Sequence, residues 1–206
     1  MAEKGLIVSV SGPSGVGKGT VLKLVFDLIE KKWPGKAAYS ISATTRSPRP
    51  GETDGVEYHF RTKEEFEQMI EAGEIIEYDQ YVGNYYGTPA APIAAKVSEG
   101  KVVLCDITIE GSLALDRKFP DDVVTIMLLP PSYQELEARL KGRGTEDDAK
   151  VAARLAKARE EIARAGEFEY AVQNIEVGQA AADIMKIVES EMLRTFRQKE
   201  TIKNLE

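Results

Sequence analysis

At 206 residues, with 43% hydrophobic content, the chain is sized for one α/β domain with its own core. A formal net charge of −7 argues against general nucleic-acid binding, because duplex phosphates would be repelled; an anionic ligand would need a local cluster of cations. A single cysteine, Cys105, permits no internal disulfide; with no secretory signal and no apolar run of membrane-spanning length, the expectation is a cytoplasmic protein without a membrane partner.

Leu6-Ile7-Val8-Ser9-Val10 is short, apolar and β-branched, the composition of a buried strand. Val21 to Ile29 places apolar residues at helical spacing. Between them lies Gly12-Pro13-Ser14-Gly15-Val16-Gly17-Lys18-Gly19-Thr20. Strand, glycine-rich turn and helix form the setting a phosphate-binding loop requires. Glycines let backbone N–H groups converge on phosphate oxygens, and the helix N-terminus adds free donors and partial positive charge. Lys18 supplies a full charge for the β- and γ-phosphates of a nucleoside triphosphate. The usual loop ends Gly-Lys-Ser/Thr; here Gly19 intervenes, which moves the Thr20 hydroxyl about 100° around the helix. That ending resembles nucleoside monophosphate kinases.

The first helix should end near Lys31-Lys32, at Trp33-Pro34-Gly35, with a short strand around Ala38 to Ile41. In Ser42-Ala43-Thr44-Thr45-Arg46-Ser47-Pro48-Arg49-Pro50-Gly51-Glu52 the prolines stiffen a loop carrying two arginines. This reads equally as a phosphate clamp and as a solvated basic loop. Glu57 to Phe60 alternates like a strand; its His59, the sole histidine, suits an edge strand better than catalysis. Thr62 with Glu65 predicts a capping box opening a helix from Lys63 to Ala72, stopped by Gly73. Glu74 to Tyr78 returns as a strand, and Asn84-Tyr85-Tyr86-Gly87 reads as a turn. Ala90 to Ser98 is a helix closed by Gly100, and Lys101 to Asp106 a buried strand ending in an acid. Val123 to Leu129 is a further strand, after which Ser132, with Glu135, caps a helix through Leu140. Glycines around Arg143 suit a mobile lid, Asp147 to Ala165 is a charged amphipathic helix, Phe168 to Asn174 the last core strand, and Gln179 to about Lys199 a helix with one packing face. Alternating strands and helices point to a parallel sheet covered on both faces, with sites at the strand C-termini.

From about Gly5 to about Glu191 the chain resembles the guanylate kinases. The resemblance is carried by the phosphate loop, the arginine loop, Gly55-Val56-Glu57-Tyr58-His59-Phe60, Gly83-Asn84-Tyr85-Tyr86-Gly87-Thr88, Leu129-Pro130-Pro131-Ser132, Gly142-Arg143-Gly144-Thr145-Glu146 and Asn174. It implies a P-loop nucleoside monophosphate kinase fold: a core of residues 1–38, 93–141 and 158–206, an inserted GMP-binding lobe at 39–92, and a lid at 142–157. It implies transfer of the γ-phosphoryl group of ATP to GMP with Mg²⁺, by a monomer or homodimer. Ser42, Glu77, Thr88 and Thr108 would face the guanine; a carboxylate at Glu77 suits its N1–H and 2-amino donors and disfavours adenine. Arg46, Arg49, Tyr58 and Tyr86 would hold the acceptor phosphate, although plain packing accounts equally for the tyrosines. Gly12 to Thr20, Arg139, Arg143 and Asn174 would bind ATP, with Lys18, Arg46, Arg49, Arg143 and Arg154 as the catalytic charges; Arg154 fits a solvated helical face as well. Asp106, with Thr20, would hold Mg²⁺ directly or through water.

The sequence departs from the family at two places: after Asn174, Ile175-Glu176 replaces the usual acidic pair, and a larger departure lies at the end of the Lys101 to Asp106 strand. The usual Asp-Ile-Asp-x-Gln-Gly is here Asp106-Ile107-Thr108-Ile109-Glu110-Gly111, so a base-reading aspartate is replaced by a neutral hydroxyl. This keeps open a kinase for another mononucleotide. A non-catalytic binding module of the same fold is the other alternative, although the phosphate loop is intact. No Asn-Lys-x-Asp motif supports a regulatory GTPase.

Overall fold

The computed structural model describes residues 4–141 and 148–205. Its centre is a parallel sheet built from β1 (Leu6–Ser11), β2 (Ala37–Tyr39), β7 (Val102–Asp106), β8 (Val123–Leu129) and β9 (Tyr170–Gln173), in the order β2-β7-β1-β8-β9. Alternation along each strand sends side chains to two cores. Leu6, Val8 and Val10 of β1, with Val102, Leu104, Val124, Ile126 and Leu128, meet α1 (Lys18–Lys32) and α7 (Val177–Met192). Ile7, Val103, Cys105 and Val123 face the other way, against α3 (Ala90–Ser98) and α4 (Ile109–Lys118). Cys105 is a buried free thiol, pushed up to about 12 by that burial. Trp33 caps α1 and packs against the first core.

A second sheet, in the order β4-β3-β6-β5, is made from β3 (Ala43–Thr44), β4 (His59–Phe60), β5 (Ile75–Tyr81) and β6 (Asn84–Pro89). It packs around α2 (Lys63–Glu71), whose Phe66 is fully buried and stacks on Tyr85. The expected capping box is present: the Thr62 hydroxyl accepts from the Glu65 N–H, and the Glu65 carboxylate from the Thr62 N–H. His59 lies half-buried on the edge strand.

Four expectations are corrected. The arginine loop is interrupted by β3, which pairs with both β4 and β6. Asn84 to Gly87 is strand, not turn; the turn is Val82-Gly83, with φ of 48° and 76°, closing the β5–β6 hairpin at Tyr81↔Asn84. Helix α4 was not expected at all. The C-terminal helix ends at Met192, well short of Lys199, and the chain continues through a 3₁₀ turn (Thr195–Arg197) into α8 (Lys199–Lys203). The reason is Arg197: buried, it donates to the Gly5 and Asp121 carbonyls at 2.6 Å each, which a continuous helix would prevent.

Candidate active site

The phosphate loop runs from the end of β1 to the start of α1. Gly17 is the N-cap of α1 with φ 97°, and a Cβ there would sit 2.8 Å from Asn174 Nδ2, so backbone and neighbour both require glycine. Asn174 is buried at the end of β9 and donates to the Val16 carbonyl at 2.7 Å, fixing the loop from behind. Its own carbonyl accepts from Arg139 of α5 (Tyr133–Lys141) at 3.3 Å. The Ser132 hydroxyl caps α5 by accepting from the Glu135 N–H, while the Glu135 carboxylate faces Arg139 at 3.9 Å.

Lys18 Nζ donates to the Gly12 carbonyl at 2.8 Å and lies 3.8 Å from the Asp106 carboxylate at the end of β7. Burial raises the Asp106 carboxyl above its ordinary value, and Lys18 partly offsets this. Gly12, Ser14, Lys18 and Asp106 line one end of a cleft of about 690 Å³. Glu77 and Thr108 line the same cleft. Glu77 comes from β5 and Thr108 is the N-cap of α4, its hydroxyl accepting from the Gly111 N–H at 3.1 Å. The same hydroxyl donates to Glu77 Oε2, and the Thr88 hydroxyl lies 3.4 Å from Glu77 Oε1. Burial raises the Glu77 carboxyl, and the two hydroxyls pull it partly back.

Arg46 and Glu52 form a bidentate pair, both contacts 2.9 Å, and Glu52 also accepts the Arg49 N–H at 2.7 Å. The pairing holds the Glu52 carboxyl below its ordinary value and raises Arg46. The Arg46 guanidinium lies 5.4 Å over Tyr58, whose ring meets Tyr86 edge-on at 5.9 Å, so three of the four expected phosphate holders form one cluster. Arg49 is exposed on the same loop, and Ser42 is half-buried with its carbonyl accepting from the His59 N–H. Thr20 is exposed on the first turn of α1. Arg154 is partly buried on α6 (Asp148–Ala163) but does not line the cleft, whereas Lys157 and Arg164 of that region do. Arg143 lies outside the described residues.

Two residues, Glu110 and Glu52, take roles that the sequence reading did not assign. Glu110 pairs with Arg164 across 54 residues, both lining the cleft. Glu52 was visible within the arginine loop, and its three-residue offset from Arg49 was the available clue.

The family model for guanylate kinase matches residues 4–191. Guanylate kinases of Streptococcus pyogenes serotypes M3 and M18 are each 47% identical over 197 residues, covering 96% of this chain and 91% of the relative. The crystal structure of guanylate kinase from Anaplasma phagocytophilum superposes with a TM-score of 0.67 at 30% identity, covering 96% of this chain and 92% of that one. The family model, the relatives and the solved structure agree with the phosphate loop at the end of the parallel sheet: this chain belongs to the guanylate kinase family.

Proposed function

We infer that the chain transfers the γ-phosphoryl group of ATP to GMP, giving ADP and GDP. One observation carries the reading beyond family membership: Lys18 and Glu77, from different lobes, open onto the same cleft. A cavity of about 690 Å³ between a phosphate loop and a hydrogen-bonding carboxylate suits two nucleotides meeting at their phosphates.

In this reading Gly12 to Thr20, with Lys18, hold the donor phosphates, and Arg139 and Asn174 position that loop. Arg46, Arg49, Tyr58 and Tyr86 hold the acceptor phosphate; Ser42, Glu77, Thr88 and Thr108 face the base. An acceptor phosphate oxygen attacks the γ-phosphorus in line, the bond to the β-phosphate oxygen breaks, and ADP leaves. The acceptor oxygen is already ionised near neutral pH, so no general base is needed. Arg143 and Arg154, from a lid over 142–157 closing against the lobe at 39–92, complete the charge stabilisation.

Asp106 fits Mg²⁺: it is an oxygen donor, its side chain half exposed, beside Lys18 at the phosphate end of the cleft. Such a cation takes one or two carboxylates together with substrate phosphates and water. When bound, the ion neutralises charge on the transferring phosphoryl group. No helix among the described residues is long and apolar enough to cross a membrane.

An ADP-release assay over a panel of mononucleotides tests the function. GMP-dependent release that EDTA abolishes and Mg²⁺ restores is the expected result. Release with none of the panel would favour a binding module, and preference for AMP or a pyrimidine nucleotide would overturn the guanine assignment.

A further inference from the structure

Guanine and hypoxanthine share O6 and N1–H and differ only at C2, which carries an amino group in one and hydrogen in the other. A site rejects the base lacking the amino group chiefly when doing so strands an acceptor without a partner. A carboxylate reading C2 would be stranded in this way. Here Thr108 stands where the resemblance places a base-reading aspartate, and two of its hydrogen bonds are met from within the protein. Its proton goes to Glu77, and one oxygen lone pair accepts the Gly111 N–H as the cap of α4. A hydroxyl offers one donor and two lone pairs, so a single lone pair is left. It can accept from a guanine amino group, yet nothing charged is stranded when that group is absent. Glu77 keeps an acceptor for N1–H, which both bases carry, and whichever of its oxygens faces the 2-amino group already has a hydroxyl beside it, Thr108 at Oε2 and Thr88 at Oε1, so it is not stranded when that group is absent. Of the other carboxylates lining the cleft, Glu110 is engaged by Arg164, Asp106 lies beside Lys18, Asp79 accepts the Gln80 N–H at 2.7 Å, and Glu160 and Glu161 come from α6.

We propose that this chain also phosphorylates 6-oxopurine mononucleotides lacking the 2-amino group, inosine monophosphate above all, and that Thr108 is the residue that admits them. The proposal rests on the guanylate kinase reading above.

The test compares kcat/KM for IMP and GMP, with ATP and Mg²⁺, following ADP release and the diphosphate product by chromatography. The wild-type chain should use IMP within about a hundredfold of GMP, against the ~10⁴-fold or greater rejection of a site built to bond the missing group. Thr108→Asp, which retains an N-cap side chain, should widen the ratio at least about tenfold, with the loss falling on IMP. Thr108→Ser, which keeps the hydroxyl, should hold the wild-type ratio. A wild-type ratio of about 10⁴ or more, or a ratio that Thr108→Asp leaves unmoved, overturns the proposal. The wild-type ratio decides even if a variant misfolds. Turnover of GMP alone sinks only this inference; turnover of neither nucleotide sinks the guanylate kinase reading with it.

Discussion

The Thr108 hydroxyl, which caps α4, donates to the Glu77 carboxylate of β5 and so joins α4 to the second sheet at the cleft that both residues line. The bond fixes where Glu77 points, and it partly compensates for taking that carboxylate out of water.

The first prediction concerns pH. Burial raises the Glu77 carboxyl, so the folded protein holds this proton more tightly than the unfolded chain does. Stability linked to Glu77 is therefore full at low pH and declines as pH rises through the folded value. Recognition of N1–H needs the ionised form and runs the opposite way. The acid side of the kcat/KM profile for GMP should carry a contribution above the ordinary carboxylate value that disappears in Glu77→Gln, leaving the limb set by protonation of the acceptor phosphate. That variant should also lose about tenfold to a hundredfold in kcat/KM, the size of one or two charge-assisted hydrogen bonds. A pH profile unchanged by Glu77→Gln would assign the limb to another group.

The second follows from the room Glu77 needs. A Cβ on Gly111 would lie 2.7 Å from the Glu77 carboxylate and 2.5 Å from Ile107 Cγ1. Gly111→Ala must displace one or the other, at a cost of about 1–3 kcal/mol by overpacking. Chemical denaturation should register that loss, and KM for GMP should rise while KM for ATP stays near its wild-type value. An equal rise in both would point to damage spread through the domain.

What was legible in the sequence was local. The phosphate loop, the Thr62–Glu65 capping box and the strand Val123–Leu129 each lie within a few residues, where spacing alone carries the information. Helix α4 was hidden because Gly111 and Ser112, poor helix formers, occupy its first turn. Both are there for tertiary reasons: Gly111 clears Glu77, and Ser112 bonds Ser9 inside the sheet face. The hairpin was misplaced because Asn84 and Gly87 are turn-forming types, whereas the chain turns at Val82, a β-branched residue at positive φ. Resemblance put Glu77 and Thr108 at one base, but their mutual bond depends on β5 meeting α4 across 31 residues, and the Glu110–Arg164 pair on a still longer span. No window of sequence contains these contacts.

The third prediction tests the arginine loop. Glu52 takes both ends of the Arg46 fork and the Arg49 backbone, so it orders the loop before any phosphate arrives. Glu52→Gln removes the charge and one side of the fork. The expected outcome is a rise of about tenfold in KM for GMP with KM for ATP unchanged, since a loosened loop must be ordered by the substrate itself. A fall in KM would mean that Glu52 competes with the acceptor phosphate for Arg46.

The fourth prediction separates positioning from contact at Asn174. Its side-chain Nδ2 is taken up by the Val16 carbonyl and its Oδ1 is buried, so its effect on ATP passes through the loop. Asn174→Ala leaves that carbonyl without its buried partner and should cost about 1–3 kcal/mol of stability. KM for ATP should rise several-fold, with GMP affinity retained. Asn174→Asp offers no donor to Val16 and should behave no better than alanine, which distinguishes this role from direct hydrogen bonding to the nucleotide by a side-chain oxygen. Full ATP affinity in Asn174→Asp with loss in Asn174→Ala would reverse that assignment.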